Sequence, residues 1–126
     1  MTILNRPLDH INLNVPNMKE AVKFYTETMG FEVVNRFKQG MEFVFITDGN
    51  MTYELIENTQ IQNAVIDHIA YTSEDIKADY EHFSKLGLTT GAMGYIDFLF
   101  ENGVTYFFIR GVANEKIEFC QKGVFI

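Results

Sequence analysis

The chain has a single cysteine, Cys120, so it can form no internal disulfide, and neither a CxxC redox pair nor a cysteine-paired zinc site can exist. Any metal it holds must take nitrogen and oxygen ligands. Long apolar runs are missing as well. No window approaches the roughly 18 uninterrupted apolar residues of a membrane helix, and the opening MTILNRPLDH lacks the apolar stretch of a secretory signal. A cytoplasmic protein without a membrane partner is the expectation. Positive charge is scarce: 10 Lys and Arg stand against 17 Asp and Glu, for a net charge of −7. That balance repels nucleic acid and anionic lipid, which leaves a small molecule as the expected partner. What the chain does have is 47% hydrophobic residues in a length of 126. This suffices for one compact core and is too short for two ordinary independent domains, so residues 1–126 are read as a single domain.

Residues 8–15, LDHINLNV, alternate strictly. Ile11, Leu13 and Val15 fall on an apolar face, His10, Asn12 and Asn14 on a polar one. Pro16 ends this strand, and Asn17 is placed to cap a helix with Glu20 at the reach-back position. Met18, Ala21, Val22, Tyr25 and Met29 form its apolar stripe, and Gly30 can close it in a left-handed conformation. Three strands follow, FEVVNRF from Phe31, MEFVFIT from Met41 and MTYELIE from Met51, separated by Gln39-Gly40 and Asp48-Gly49-Asn50.

From Val65 the order starts again. VIDHIAYT is followed by a helix opened by Ser73, with Ile76, Tyr80, Phe83 and Leu86 as its stripe and Gly87 as its stop. LDHIN recurs as IDHIA, placing His10 and His68 58 residues apart, and TYELIE has its counterpart in EKIEFC near the end. VTYFFIR and KIEFCQ are the clear strands of this half. Residues 87–103, broken by Gly91, Gly94 and Asn102-Gly103, are either strand or pocket-lining loop around YIDFLF. The repeat predicts an α+β fold of two tandem βαβββ modules, residues 1–57 and 65–122, joined by the short polar linker 58–64. One such half-sheet leaves a face open, and a second module can close it.

The chain holds three histidines, two of them at the same place in the repeated DHI phrase. A lone histidine in a strand is most simply a satisfied polar residue; its duplication favours a ligand, since imidazole is the commonest metal-binding side chain. Glu54 and Glu118 occupy matching places in the last strand of each half, between apolar neighbours. On a solvated face they are ordinary; inside a cleft an ionised carboxylate needs a cation. Cys120 shares a face with Glu118 and is most simply a buried small hydrophobe, and His82 falls on the surface of the second helix. The 12 Phe most simply build a core.

Taken together, LDHINLNV with MKEAVKFYTETMGFEVV, then TYELIE, IDHIAYT and TYFFIRGVANEKIEF, resemble the vicinal oxygen chelate superfamily. This is the glyoxalase/bleomycin resistance/dioxygenase group, and the likeness spans nearly the whole chain. The resemblance implies that His10, Glu54, His68 and Glu118 bind one divalent ion, Ni²⁺, Co²⁺, Zn²⁺ or Mn²⁺. It implies too that Glu118 transfers the proton. The activity implied is that of a glyoxalase I-like lyase or isomerase, moving a proton through a metal-stabilised enediolate on a small substrate with vicinal oxygens, as lactoylglutathione lyase does. Fosfomycin-modifying members and extradiol dioxygenases lack a protein ligand at the place of Glu54, and epimerases typically have Gln there, so Glu54 points to the glyoxalase-like branch. Glutathione-using relatives carry Arg where this chain has Asn14, which argues against glutathione. Asn12 and Asn14 are candidates to bind a more neutral substrate, solvated strand polars being the alternative. A homodimer is expected, with the site formed either within one chain or across two. The alternative in the same family is an antibiotic or xenobiotic resistance protein, by fosfomycin-type modification or metal-free drug binding.

Overall fold

A computed structural model of the chain describes residues 6–125; the first five residues of the expected first module lie outside the described residues. Strand β1, Leu8–Val15, runs into helix α1, Met18–Lys23. Asn17 caps α1 as its sequence position predicts, its side-chain oxygen accepting from the Glu20 N–H at 3.0 Å. The helix does not continue in α geometry. It widens into a π-helical turn, Phe24–Thr28, and the chain then leaves through Gly30 at φ +78°. The extra residue per turn breaks the 3.6 periodicity. Met29, expected in the apolar stripe, is therefore half exposed, while Tyr25 packs against the core.

Strands β2 (Glu32–Gln39), β3 (Met41–Thr47) and β4 (Thr52–Glu57) complete the first module. Their order is β2-β3-β4-β1, with β1 parallel to β4 and the other pairs antiparallel. Phe31, expected to start β2, packs instead against Tyr25 and Tyr53. Gly49 takes φ +96° in the β3–β4 turn, where the Asp48 carboxylate accepts from the N–H groups of Asn50 and Met51. One face of this sheet meets α1: Leu13, Val15, Val44, Ile46 and Leu55 pack with Met18 and Phe31. Alternation sends His10, Asn12, Phe45 and Glu54 to the other face.

The second module repeats the plan with β5 (Val65–Thr72), α2 (Ile76–Lys85), β6 (Gly94–Ile96), β7 (Val104–Arg110) and β8 (Lys116–Lys122). Its order is β5-β8-β7-β6, with β5 parallel to β8. Helix α2 is not opened by Ser73. Asp75 caps it, its carboxylate accepting from the Ala78 N–H at 3.1 Å, because Ser73 lies two residues too early and spends its hydroxyl on Asp79 at 2.6 Å. Gly87 stops the helix at φ +74° as expected, but Leu86, at its C-cap, is exposed rather than part of the stripe. Ile76, Phe107, Ile109 and Phe119 form the core beneath α2. Residues 87–103 are mostly loop, with the three-residue β6 as their only strand.

The described chain divides into two compact units, one from His10 to Asp67 and the other from His68 onward together with the described residues 6–9. The described part of that leading segment belongs to the second unit through specific bonds. Arg6 reaches Asp79 through Nη2 at 2.7 Å, Pro7 O accepts from the Thr72 N–H at 2.8 Å, and Asp9 accepts from the Thr72 hydroxyl at 3.0 Å. No helix among the described residues is long and apolar enough to cross a membrane.

Candidate functional site

In the first module, His10 and Asn12 project from β1 and Glu54 from β4, on the face turned away from α1. This face is polar, as its alternation predicts, but it is buried: His10 is 5% exposed, Asn12 1% and Glu54 7%. The parallel register sets Asn12 opposite Glu54. The Asn12 amide donates from Nδ2 to Glu54 Oε1 at 2.6 Å, and Asn14 Nδ2 donates to Asn12 Oδ1 at 3.0 Å. His10 Nε2 lies 3.6 Å from the same Glu54 oxygen. Phe45, opposite Glu54 across β3–β4, meets the His10 ring edge-on at 5.9 Å.

The second module builds the same group. His68 on β5 and Glu118 on β8 are each 8% exposed, with Nε2 and Oε1 2.8 Å apart. Phe108 stands opposite Glu118 across β7–β8 and meets the His68 ring edge-on at 5.2 Å. Here the residue opposite Glu118 on the parallel strand is Ala70. Within each module, then, the expected histidine and glutamate are brought together, and an aromatic flanks the histidine at the same register. The repeat in the letters is a repeat in side-chain geometry.

Each pair offers an imidazole nitrogen and carboxylate oxygens in a desolvated setting. Carboxylates this far from water are costly to keep ionised without a cation or strong hydrogen bonds, and nitrogen-plus-oxygen donors suit first-row divalent ions. The donor chemistry therefore fits the ion expected from the sequence. The remaining candidates fall as follows. Asn12 is no solvated strand polar, since its amide is engaged with Glu54; Asn14 is half-buried behind it. Cys120 is a buried thiol, 2% exposed, on the face of β8 that carries Glu118. His82 is exposed, its ring against Phe83 at 5.0 Å.

One residue of this face was missed from the sequence. Tyr106 alternates with the core residues Phe107 and Ile109, so it points to the side of Glu118 and sits opposite Cys120. Burial pushes its phenol up, and the nearby charge of Glu118 adds to the effect, so at neutral pH it is a proton-bearing donor. Its ring lies against Gly94, where a β-carbon would come within 2.5 Å of Cζ. The strand alternation of VTYFFIR was the available signal; the run of aromatics hid it as generic core.

Comparison with known proteins bears on what such a face does. Residues 7–106 match the profile of the Glyoxalase/Bleomycin resistance protein/Dioxygenase superfamily. The chain is 28% identical to "Uncharacterized protein YwbC" of Bacillus subtilis (strain 168) over 127 residues, covering 91% of this chain and 97% of that one. Among solved structures it resembles hypothetical protein BH1468 from Bacillus halodurans C-125, with a TM-score of 0.80 at 20% identity over 98% of this chain and 99% of that one. It also resembles methylmalonyl-CoA epimerase from Mycobacterium tuberculosis, with a TM-score of 0.79 at 14% identity over 95% and 92% of the two chains. At these identities the two structures speak for the fold alone.

Proposed function

This chain belongs to the Glyoxalase/Bleomycin resistance protein/Dioxygenase superfamily, and on that premise we propose that it is a metal-dependent lyase or isomerase of the glyoxalase I-like kind. It moves a proton on a small substrate that carries oxygens on adjacent atoms. The observation that carries this reading is the duplicated buried pair, His10 with Glu54 and His68 with Glu118. In this reading the four side chains of the two modules hold one divalent ion, Ni²⁺, Co²⁺, Zn²⁺ or Mn²⁺, and the modules act as a single domain, in a homodimer as the family likeness suggests.

When bound, such an ion supplies Lewis-acid stabilisation of negative charge on the substrate oxygens. The rest is done by the chain. Glu118 is the group assigned to take the proton from carbon and return it. Tyr106, holding its proton at neutral pH, is a hydrogen-bond donor for a substrate oxygen on the same face. Phe45 and Phe108 flank the histidines and keep water from the carboxylates, which strengthens the electrostatics there. Asn14, where glutathione-using relatives have Arg, argues for a substrate without glutathione. The fold likeness to an epimerase is compatible with proton transfer next to a carbonyl; Glu54, in place of the Gln typical of epimerases, favours the glyoxalase-like branch.

The test is the metal content of the purified protein, repeated for His10→Ala and Glu118→Ala. About one transition-metal ion per chain is expected, lost or weakened in both variants. No bound metal, or binding indifferent to both changes, would sink the reading. With the metal established, solvent deuterium should enter candidate hemithioacetals or 2-hydroxy acid thioesters at the oxygen-bearing carbon next to the carbonyl, and Glu118→Gln should abolish that exchange.

A further inference from the structure

Duplication makes Glu54 and Glu118 equivalent, yet the strand beside each treats them differently. Asn12 stands opposite Glu54 on β1, and Ala70 stands opposite Glu118 on β5. Both neighbours are sealed from solvent, at 1% and 0% exposure, so the difference is not one of surface against interior. The small apolar residue shows what packing at this register asks for. An asparagine there adds a cost, because its amide must find partners or lose stability on burial. It finds them in one direction only. Asn14 Nδ2 donates to Asn12 Oδ1 at 3.0 Å, and Asn12 Nδ2 donates to Glu54 Oε1 at 2.6 Å. The chain of bonds fixes the amide's orientation: flipped, it would turn an oxygen toward the carboxylate and an N–H toward the N–H of Asn14.

We propose that Asn12 is a positioning residue, which locks Glu54 into a fixed carboxylate of the metal site. The inference rests on the metal reading above. A short bond from an amide to an ionised carboxylate is a charge-assisted one, and it restricts the rotation of the Glu54 carboxylate about its last torsion. Ala70 offers Glu118 no such bond from the corresponding register. Glu118 instead lies against His68, Oε1 to Nε2 at 2.8 Å, so the asparagine brace belongs to the first module's carboxylate. Asn14 completes the arrangement by orienting Asn12.

Co²⁺ titration of the metal-free protein, followed by calorimetry and by the visible spectrum of the bound ion, tests this. Asn12→Ala should weaken Co²⁺ binding by about 10- to 100-fold, the usual effect of losing a partner that orients a ligand. In a Glu54→Ala background the same change should add nothing, because the residue it acts through is gone. Asn12→Leu, which keeps the volume of the side chain and guards against collapse of the site, should match Asn12→Ala. An equal loss in both backgrounds would show a general structural role and overturn the proposal. So would wild-type affinity in Asn12→Leu. A wild-type protein that binds no Co²⁺ at all overturns the metal reading itself and the role of Asn12 with it, whereas normal wild-type binding with unaltered Asn12 variants overturns only the latter.

Discussion

Asp79 receives three hydrogen bonds, from Arg6 Nε and Nη2 at 3.2 and 2.7 Å and from the Ser73 hydroxyl at 2.6 Å. The Arg6 guanidinium also lies over the rings of Phe83 and Phe119, at 5.4 and 5.7 Å, so it is held by packing as well as by charge. Burial by itself would raise the Asp79 carboxyl, but the bonds from Arg6 and Ser73 and the attraction of Arg6 outweigh it and hold the group below its ordinary value. A carboxyl that ionises at lower pH in the folded state stabilises the fold fully above about pH 5. It loses that contribution as pH falls through the ordinary aspartate value, about 3.9, toward its folded one. Asp79→Asn should therefore cost about 1–2 kcal/mol at pH 7, allowing for partial exposure, and much less at pH 3. Urea unfolding of both proteins at the two pH values checks it; a gap that stays constant or widens on acidification refutes the assignment. At this scale the sequence was legible where identity alone carried the message: two histidines in two copies of DHI, two glutamates in matching strands. It was silent where the message was a partner. Asn12 reads as a substrate contact or a solvated strand polar until its bond to Glu54, 42 residues away in sequence, is seen, and Ser73 reads as a cap until Asp79 claims its hydroxyl.

The elements were legible wherever periodicity and punctuation agreed. Strand β1 alternates strictly, β4, β5, β7 and β8 are short apolar-rich runs bounded by turn residues, and Gly30 and Gly87 stop their helices at positive φ as predicted. The π-helical turn Phe24–Thr28 was not legible, because no residue type marks it; its trace is the exposure of Phe24 and Met29, at 50% and 53%, at positions of helical spacing. The loop between α2 and β7 resisted for another reason. Its apolar residues do not alternate, and its single strand, β6, is held in place by β7 through three paired residues. Gly94 belongs to that pairing. It stands opposite Tyr106, and a β-carbon at Gly94 would lie 2.5 to 2.8 Å from three atoms of the Tyr106 ring, closer than atoms tolerate. Gly94→Ala should thus displace the ring and cost about 1–3 kcal/mol in thermal unfolding. Because the clash is with one side chain, the cost should shrink to under about 0.5 kcal/mol when the same change is made in a Tyr106→Ala protein. Equal costs in both backgrounds would place the strain in the backbone of β6 and not in the ring.

For the molecule as a whole, duplication gives each module one buried imidazole–carboxylate pair, which in the proposed reading is half of a ligand set. Half a set is a poor site. Two ligands leave most of the coordination positions of a first-row ion to water, and affinity for such ions depends on ligand number and geometry. If four ligands serve one ion, binding needs both modules, and removing a ligand from either has the same effect on the whole. A ligand that binds only the folded state stabilises it by about 2.7 kcal/mol at a hundred times its dissociation constant. For a chain of this size that corresponds to a rise of roughly 10 °C in the unfolding midpoint. Saturating Co²⁺ should produce such a rise in the wild-type protein, with one ion bound per chain, and excess chelator should reverse it. His10→Ala and His68→Ala, although they lie in different modules, should each remove nearly all of the rise. Two independent two-ligand sites predict otherwise: two weakly bound ions per chain, and a residual rise of comparable size in either variant. Thermal scans of the three proteins, with and without the ion, distinguish these outcomes, and a residual rise in both variants would end the single-site account.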